Sequence, residues 1–267
     1  MRGATKASWW PGRVALQMAI MPAAIALTHS VSRFRPSSRV ADRIFFAAMI
    51  LAMWGIILFG FSKTYFMAGM VTAPLPNLLI HVHGAAFTLW MVLLVVQSSL
   101  IVTHNVRIHR TLGIAGFGLA GVMVVLGVLA ALDALKRGKI PLGLDAKTFF
   151  VIPMSGILVF MVLVFLAYKL RHKMELHKRL ILIATIELTG AGVGRWPIAF
   201  FQQHPPAQDL VLLALLAAVA LFDVATLRRL SKATIWGSVL LIVVHATRVP
   251  IGKTAVWHTF ASFLSGT

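Results

Sequence analysis

The residues able to do chemistry in this sequence stand out because their surroundings are apolar. His83, Arg195, His245 and Arg248 fall towards one end of long hydrophobic stretches, His109, His177 and Asp223 towards the other, and Glu187 close to the middle of its own. A charged side chain at the centre of a bilayer costs roughly 2.5–3.5 kcal/mol, so polar groups kept inside such stretches are candidates for function. His83 lies about four residues and His245 about five from the near ends of their stretches, which at ~1.5 Å per residue is the same depth. Two imidazoles at one depth on different helices can serve as axial ligands of a b-type haem. Arg195 and Arg248 are available for its propionates, and Gly84 leaves room for a planar ring. The same residues suit a quinone headgroup or an anionic substrate. In the plainer reading they are interfacial groups bonded to loops or snorkelling to headgroups. His81 points away from His83 on a helix, so His-x-His is not a chelating pair by itself.

The opposite group has a different chemistry. His109 and His177 with Asp223 have the ligand types of a zinc or iron site open to water, or the two histidines mark a second haem position. The plainer reading sets His-Arg and His-Lys-Arg against lipid phosphates and pairs Asp223 with Arg228 or Arg229. Glu187 is the catalytic candidate. It lies about 8–10 residues into its stretch, ~12–15 Å deep, where a carboxylate serves as proton carrier or ligand. Otherwise it is a protonated Glu bonded to Thr185, Thr189 or Gln97. Gly190, Gly192 and Gly194 follow it and favour close helix packing over a bound ring.

The elements that must hold these residues are membrane helices. The chain has 267 residues, 59% of them hydrophobic and 12% charged, against roughly 25% charged in an average soluble domain. The mean hydropathy is +0.89. This excludes an ordinary soluble enzyme, a disordered chain and a disulfide scaffold, and predicts an all-α polytopic bundle. Stretches of ~20 apolar residues are needed to span, and seven qualify: 43–62, 79–103, 112–134, 148–168, 180–200, 209–226 and 234–250. Pro74 and Pro76, Pro141 and Gly143, and Pro205 and Pro206 punctuate the connections. Residues 1–42 read as a basic tail, with 14–28 as an interfacial helix or an eighth span and Met18 or Met21 as alternative starts; 251–267 read as a short tail.

The absence of cysteine removes thiolate metal sites, iron–sulfur clusters and cysteine nucleophiles. The 234–250 stretch has no Lys for a retinal Schiff base, and no phosphate-cradling loop is present. The net charge of +18 sits between apolar stretches, so it reads as topology and anionic lipid headgroups rather than nucleic acid. Of 25 Lys and Arg, 17 fall in the tail to Arg43 and the 104–111, 169–179 and 227–233 turns, which are inside when the N-terminus is inside. That bias predicts a cytoplasmic N-terminus in the inner membrane, although 135–147 places four positive charges outside. One internal repeat appears: His104-x4-His109-Arg110-x-Leu112 returns as His172-x4-His177-Lys178-x-Leu180, 68 residues on. It predicts a duplicated helical hairpin.

The stretches HVHGAAFTLWMVLLVVQ, HRTLG, ELHKRLILIAT, GVGRWP and FDVATLRR span roughly residues 60–260. Together they resemble a widespread group of bacterial multi-pass membrane proteins, and the resemblance implies a topology and a set of polar positions rather than a reaction. His-Arg-x-Leu-Gly is also similar to haem-bearing helical membrane reductases, which pair two histidines on one helix; here Gln97 and Met123 stand at the partner positions. Seven-helix zinc hydrolases of the membrane are similar in drawing His and Asp from several spans, but carry His-x-x-x-His where this chain has His245 alone.

Three functions follow as expectations. The first is a redox protein binding b-type haem or quinone through His83 and His245, with His109 and His177 as a second pair. The second is a zinc- or iron-dependent membrane hydrolase or lipid-modifying enzyme using His109, His177 and Asp223. The third is a non-enzymatic complex subunit or small transporter.

Overall fold

A computed structural model describes residues 38–67, 77–138, 144–204 and 207–266. The 14–28 segment, Met18 and Met21, and the Pro-containing connections at 74–76, 141–143 and 205–206 lie outside the described residues. The chain divides into two units, Met1–Asp42 and Arg43–Thr267. The second is a helical bundle.

Among the described residues there are nine α-helices: α1 Ser38–Phe61, α2 Leu78–Val102, α3 Val106–Arg137, α4 Ala146–Lys169, α5 Met174–Val193, α6 Ala199–Gln203, α7 Gln208–Leu227, α8 Lys232–Gly252 and α9 Ala255–Ser265. Six of them, α1 to α4, α7 and α8, are long and apolar enough to cross a membrane. The protein is thus a multi-pass membrane protein, and large apolar side chains such as Leu51, Leu89, Val125, Leu158 and Leu221 point outward from the bundle. The other expected span, 180–200, is met by α5, which starts six residues earlier at Met174 and ends at Val193. Glu175, Lys178, Arg179 and Glu187 make it too charged to count as a span by composition. It is instead the most enclosed helix, packed against α4, α7 and α8.

Local chemistry sets the helix ends. Asn77 caps α2 by accepting the Ile80 N–H at 3.0 Å, and Asp145 caps α4 by accepting the Thr148 N–H at 2.9 Å. The α3 helix stops at Gly138, whose φ of 65° is the left-handed conformation that glycine adopts without strain. Helices α2 to α5 pack each on the next, and α8 closes against α4, α5 and α7. On the other side Trp54 of α1 donates to the Met91 carbonyl at 3.1 Å, and Phe45 stacks on Phe222 of α7 at 3.9 Å. Helix α1 crosses α5 where Gly60 meets the main chain of Gly192, so the glycines after Glu187 serve packing.

Residues beyond 250, expected as a tail, contain α9, which lies against the ends of α3, α4 and α8. Trp257 donates to the Lys147 carbonyl and Lys147 Nζ to Ser262 Oγ, both at 2.7 Å. Below, "inner" denotes the end of the bundle that the charge bias places in the cytoplasm, where α3, α5 and α8 begin; "outer" is the other.

Candidate functional site

Helices α5 and α8 both start at the inner end, and Glu187 and His245 are each the fourteenth residue of their helix. Both therefore sit about 20 Å from the inner start. Because α5 starts at Met174, Glu187 lies in the last third of that helix. Helix α7 runs the opposite way, so Asp209, the second residue of that helix, arrives at the same level.

These three side chains form a line. His245 Nδ1 is 2.7 Å from Asp209 Oδ1 and Nε2 is 3.0 Å from Glu187 Oε2. Arg248, one turn further along α8, donates to Asp209 Oδ1 at 3.2 Å. The line runs from open to closed: the Asp209 side chain is 35% exposed, His245 8% and Glu187 4%. The second oxygen of Glu187 forms no hydrogen bond among the described residues. It rests against α4 at Gly156, where an added Cβ would lie 2.9 Å from Oε1. Thr185 and Thr189 bond main-chain carbonyls of their own helix, at Ile181 and Ile186, and so leave Glu187 to His245. An imidazolium here donates to both carboxylates; a neutral ring donates to one and accepts from the other in its protonated form.

His83 joins a different neighbourhood. Its ring lies 4.3 Å from that of Phe87, and Nδ1 is buried without a partner. Among the described residues no contact joins it to His245, whose Nδ1 and Nε2 lie beside Asp209 and Glu187. The planar ring that Gly84 admits is the protein's own: Tyr65 lies on it and donates to the His81 carbonyl at 3.1 Å. Arg195 donates to the Ala191 carbonyl at 2.7 Å and covers the Phe61 ring at 4.6 Å.

At the inner end the structure separates what the sequence grouped. Asp223 is fully buried and takes Arg179 Nε at 2.6 Å, the Ser231 N–H at 3.0 Å and the Thr234 hydroxyl at 2.6 Å. Its partner is Arg179, neither Arg228 nor Arg229; Arg229 pairs instead with Glu175 at 3.3 Å. With its oxygens so engaged, Asp223 is not free to complete a metal site with His109 and His177. Among the described residues no group of three or more His, Asp or Glu could hold a metal ion. His109 and His177 do share one geometry. His109 Nδ1 lies 3.4 Å from the Gln97 carbonyl and His177 Nδ1 3.0 Å from the Ala167 carbonyl, each near the end of the preceding helix. The repeated motif thus builds the same tether twice, and Phe117 of α3 brings its ring within 6.2 Å of His177.

Sequence reasoning missed Asp209 and Arg179. Asp209 heads its helix and reads as an ordinary terminal acid; Arg179 reads as one more boundary charge. Their signal was periodicity. Asp209, Leu212, Leu216, Val219 and Asp223 recur at helical spacing on one face of α7, as do Thr234, Gly237, Leu241, His245 and Arg248 on α8. Compared with known proteins, the chain matches no family model, no curated protein and no solved structure.

Proposed function

We propose that this is a proton-handling membrane protein in which Asp209, His245 and Glu187 pass a proton between the outer rim and the bundle interior. The observation that supports it is one imidazole bracketed by two carboxylates, of which one is open and the other enclosed. A proton arriving on Asp209 passes to Nδ1 as Nε2 gives its own proton to Glu187. The shared hydrogen bonds make each transfer short, and the low dielectric strengthens them. Arg248 fixes the rim carboxylate and balances its charge. Glu187 Oε1, with no hydrogen bond of its own, is where the proton leaves the line.

The test is proton flux into liposomes containing the purified protein, driven by an imposed potassium gradient and read by a trapped pH dye. Glu187→Gln and His245→Ala are expected to cut the flux at least about tenfold, equivalent to about 1.4 kcal/mol on the barrier, while His83→Ala leaves it intact. Equal flux in all four proteins would contradict the proposal.

A second reading, an electron carrier with b-type haem exchanging electrons with a membrane quinone, is favoured at the inner end only. The Nδ1 tethers of His109 and His177 engage one nitrogen of each ring and leave Nε2 without a hydrogen bond among the described residues, the state a ligating imidazole needs. A haem held there would supply one-electron chemistry. A visible band that shifts on reduction and is lost in His109→Ala and His177→Ala supports that reading; protein prepared with ample haem yet colourless contradicts it. Zinc or iron analysis of the same sample tests the hydrolase reading, which lacks Asp223 as a third ligand. A colourless, metal-free protein without proton flux would be a packing subunit.

A further inference from the structure

The same three helices carry both buried polar clusters. Helix α5 bears Arg179 and Glu187, α7 bears Asp223 and Asp209, and α8 bears Thr234 and His245. Between the clusters lie Ile183 and Ile186 of α5, Leu216 and Val219 of α7 and Leu241 of α8, all buried. Packing there is close: a Cβ added at Gly237 of α8 would lie 3.0 Å from Ile183 of α5. The outer cluster reaches the surface through Asp209, whereas Arg179 and Asp223 are 1% and 0% exposed.

We propose that α5, α7 and α8 enclose a transmembrane proton route closed at its inner end by the Arg179–Asp223 ion pair. The proposal rests on the proton reading of the outer cluster. An ion pair removed from water costs several kcal/mol in desolvation for each ion, and a hydrophobic pair would hold the helices as well. Its distinctive property is that it opens to two charged groups that admit water. Ser231 Oγ is buried beside it without a partner, a group that entering water would satisfy. Parting α7 and α8 from α5 at this point frees Asp223 to take the proton held by Glu187 and release it at the inner surface. One proton enters, one leaves, and no electron moves.

The test exploits the absence of cysteine. A single Val219→Cys is the only thiol in the protein and lies between the clusters. With Arg179 and Asp223 intact it is expected to resist a small membrane-impermeant thiol reagent from both sides. Adding Asp223→Asn is expected to speed labelling from the inner side at least about tenfold, equivalent to about 1.4 kcal/mol lost from the closed state. Arg179→Lys keeps the buried charge but not the guanidinium grip, and serves as the second variant should Asp223→Asn not fold. Inner-side labelling that stays slow in both variants, or is already fast with the pair intact, would overturn the barrier. Labelling that opens as described while no protein conducts protons would overturn the proton reading beneath it and leave the barrier in place.

Discussion

Glu187 and His245 show how the surroundings of one side chain follow from helix packing. The sequence placed both correctly as polar groups in apolar helices, and gave each a different partner from the one it has. Depth alone matched His245 to His83; only packing reveals that α8 faces α5 and α7. The space for Glu187 is made by Gly156, so Gly156→Ala should push the carboxylate off His245 and lower proton flux. Gly55, with nothing within 4 Å of an added Cβ, is the control, and Gly55→Ala should change nothing in that assay. An equal effect of the two alanines would show that the glycine at 156 does not position the relay.

A second prediction at this scale concerns Asp145, which lies outside the membrane helices. Hydrogen bonds from the Thr148 side chain and main chain, with a smaller effect of nearby His258, hold its carboxyl below the usual carboxylate range. A carboxyl whose value is lowered by folding stabilises above its unfolded value, near 3.9, and loses that contribution as pH falls through the lower, folded one. Asp145→Ala should therefore cost about 1 kcal/mol at neutral pH, as expected for loss of an N-cap. The gap between the two melting curves should close only under acid below about pH 4. A gap independent of pH would assign the effect to something other than the charged cap.

At the scale of elements, the buried pair and the glycine crossing carry the specificity of the bundle. Removing one partner from a buried ion pair costs about 3–5 kcal/mol because the other charge is stranded. Asp223→Ala should thus lower stability far more than Glu175→Ala, whose exposed pair with Arg229 is worth no more than about 1 kcal/mol. Urea titration in mild detergent measures both, and similar losses would refute the difference. Likewise Gly60→Ala, whose Cβ would overlap the Gly192 carbonyl, should cost about 1–3 kcal/mol by overpacking.

Helix positions were legible because apolar length is written directly in the chain: 209–226 became Gln208–Leu227 and 234–250 became Lys232–Gly252. The start of α5 was not, because Glu175, Lys178 and Arg179 look like a loop until Arg179 is found facing Asp223. Helix α9 was missed since eleven residues are too few for a span. The repeat was legible as a motif, and its physical content, a histidine tied back to the preceding helix, needed coordinates.

For the whole molecule, the proton reading makes one unit of α5, α7 and α8, which carry polar groups at both ends and a buried apolar middle. Helix order around a bundle is not contained in spacing, which is why the outer and inner groups could be separated by depth but not resolved into contacts. The central claim is that Asp209, His245 and Glu187 behave as one coupled chain. Its most direct test is difference infrared spectroscopy of the protein in lipid as external pH is stepped. The carboxyl band that disappears in Glu187→Gln should shift in Asp209→Asn and in His245→Ala, since titrating groups in one chain share their protons. A Glu187 band indifferent to Asp209 and His245 would contradict the account.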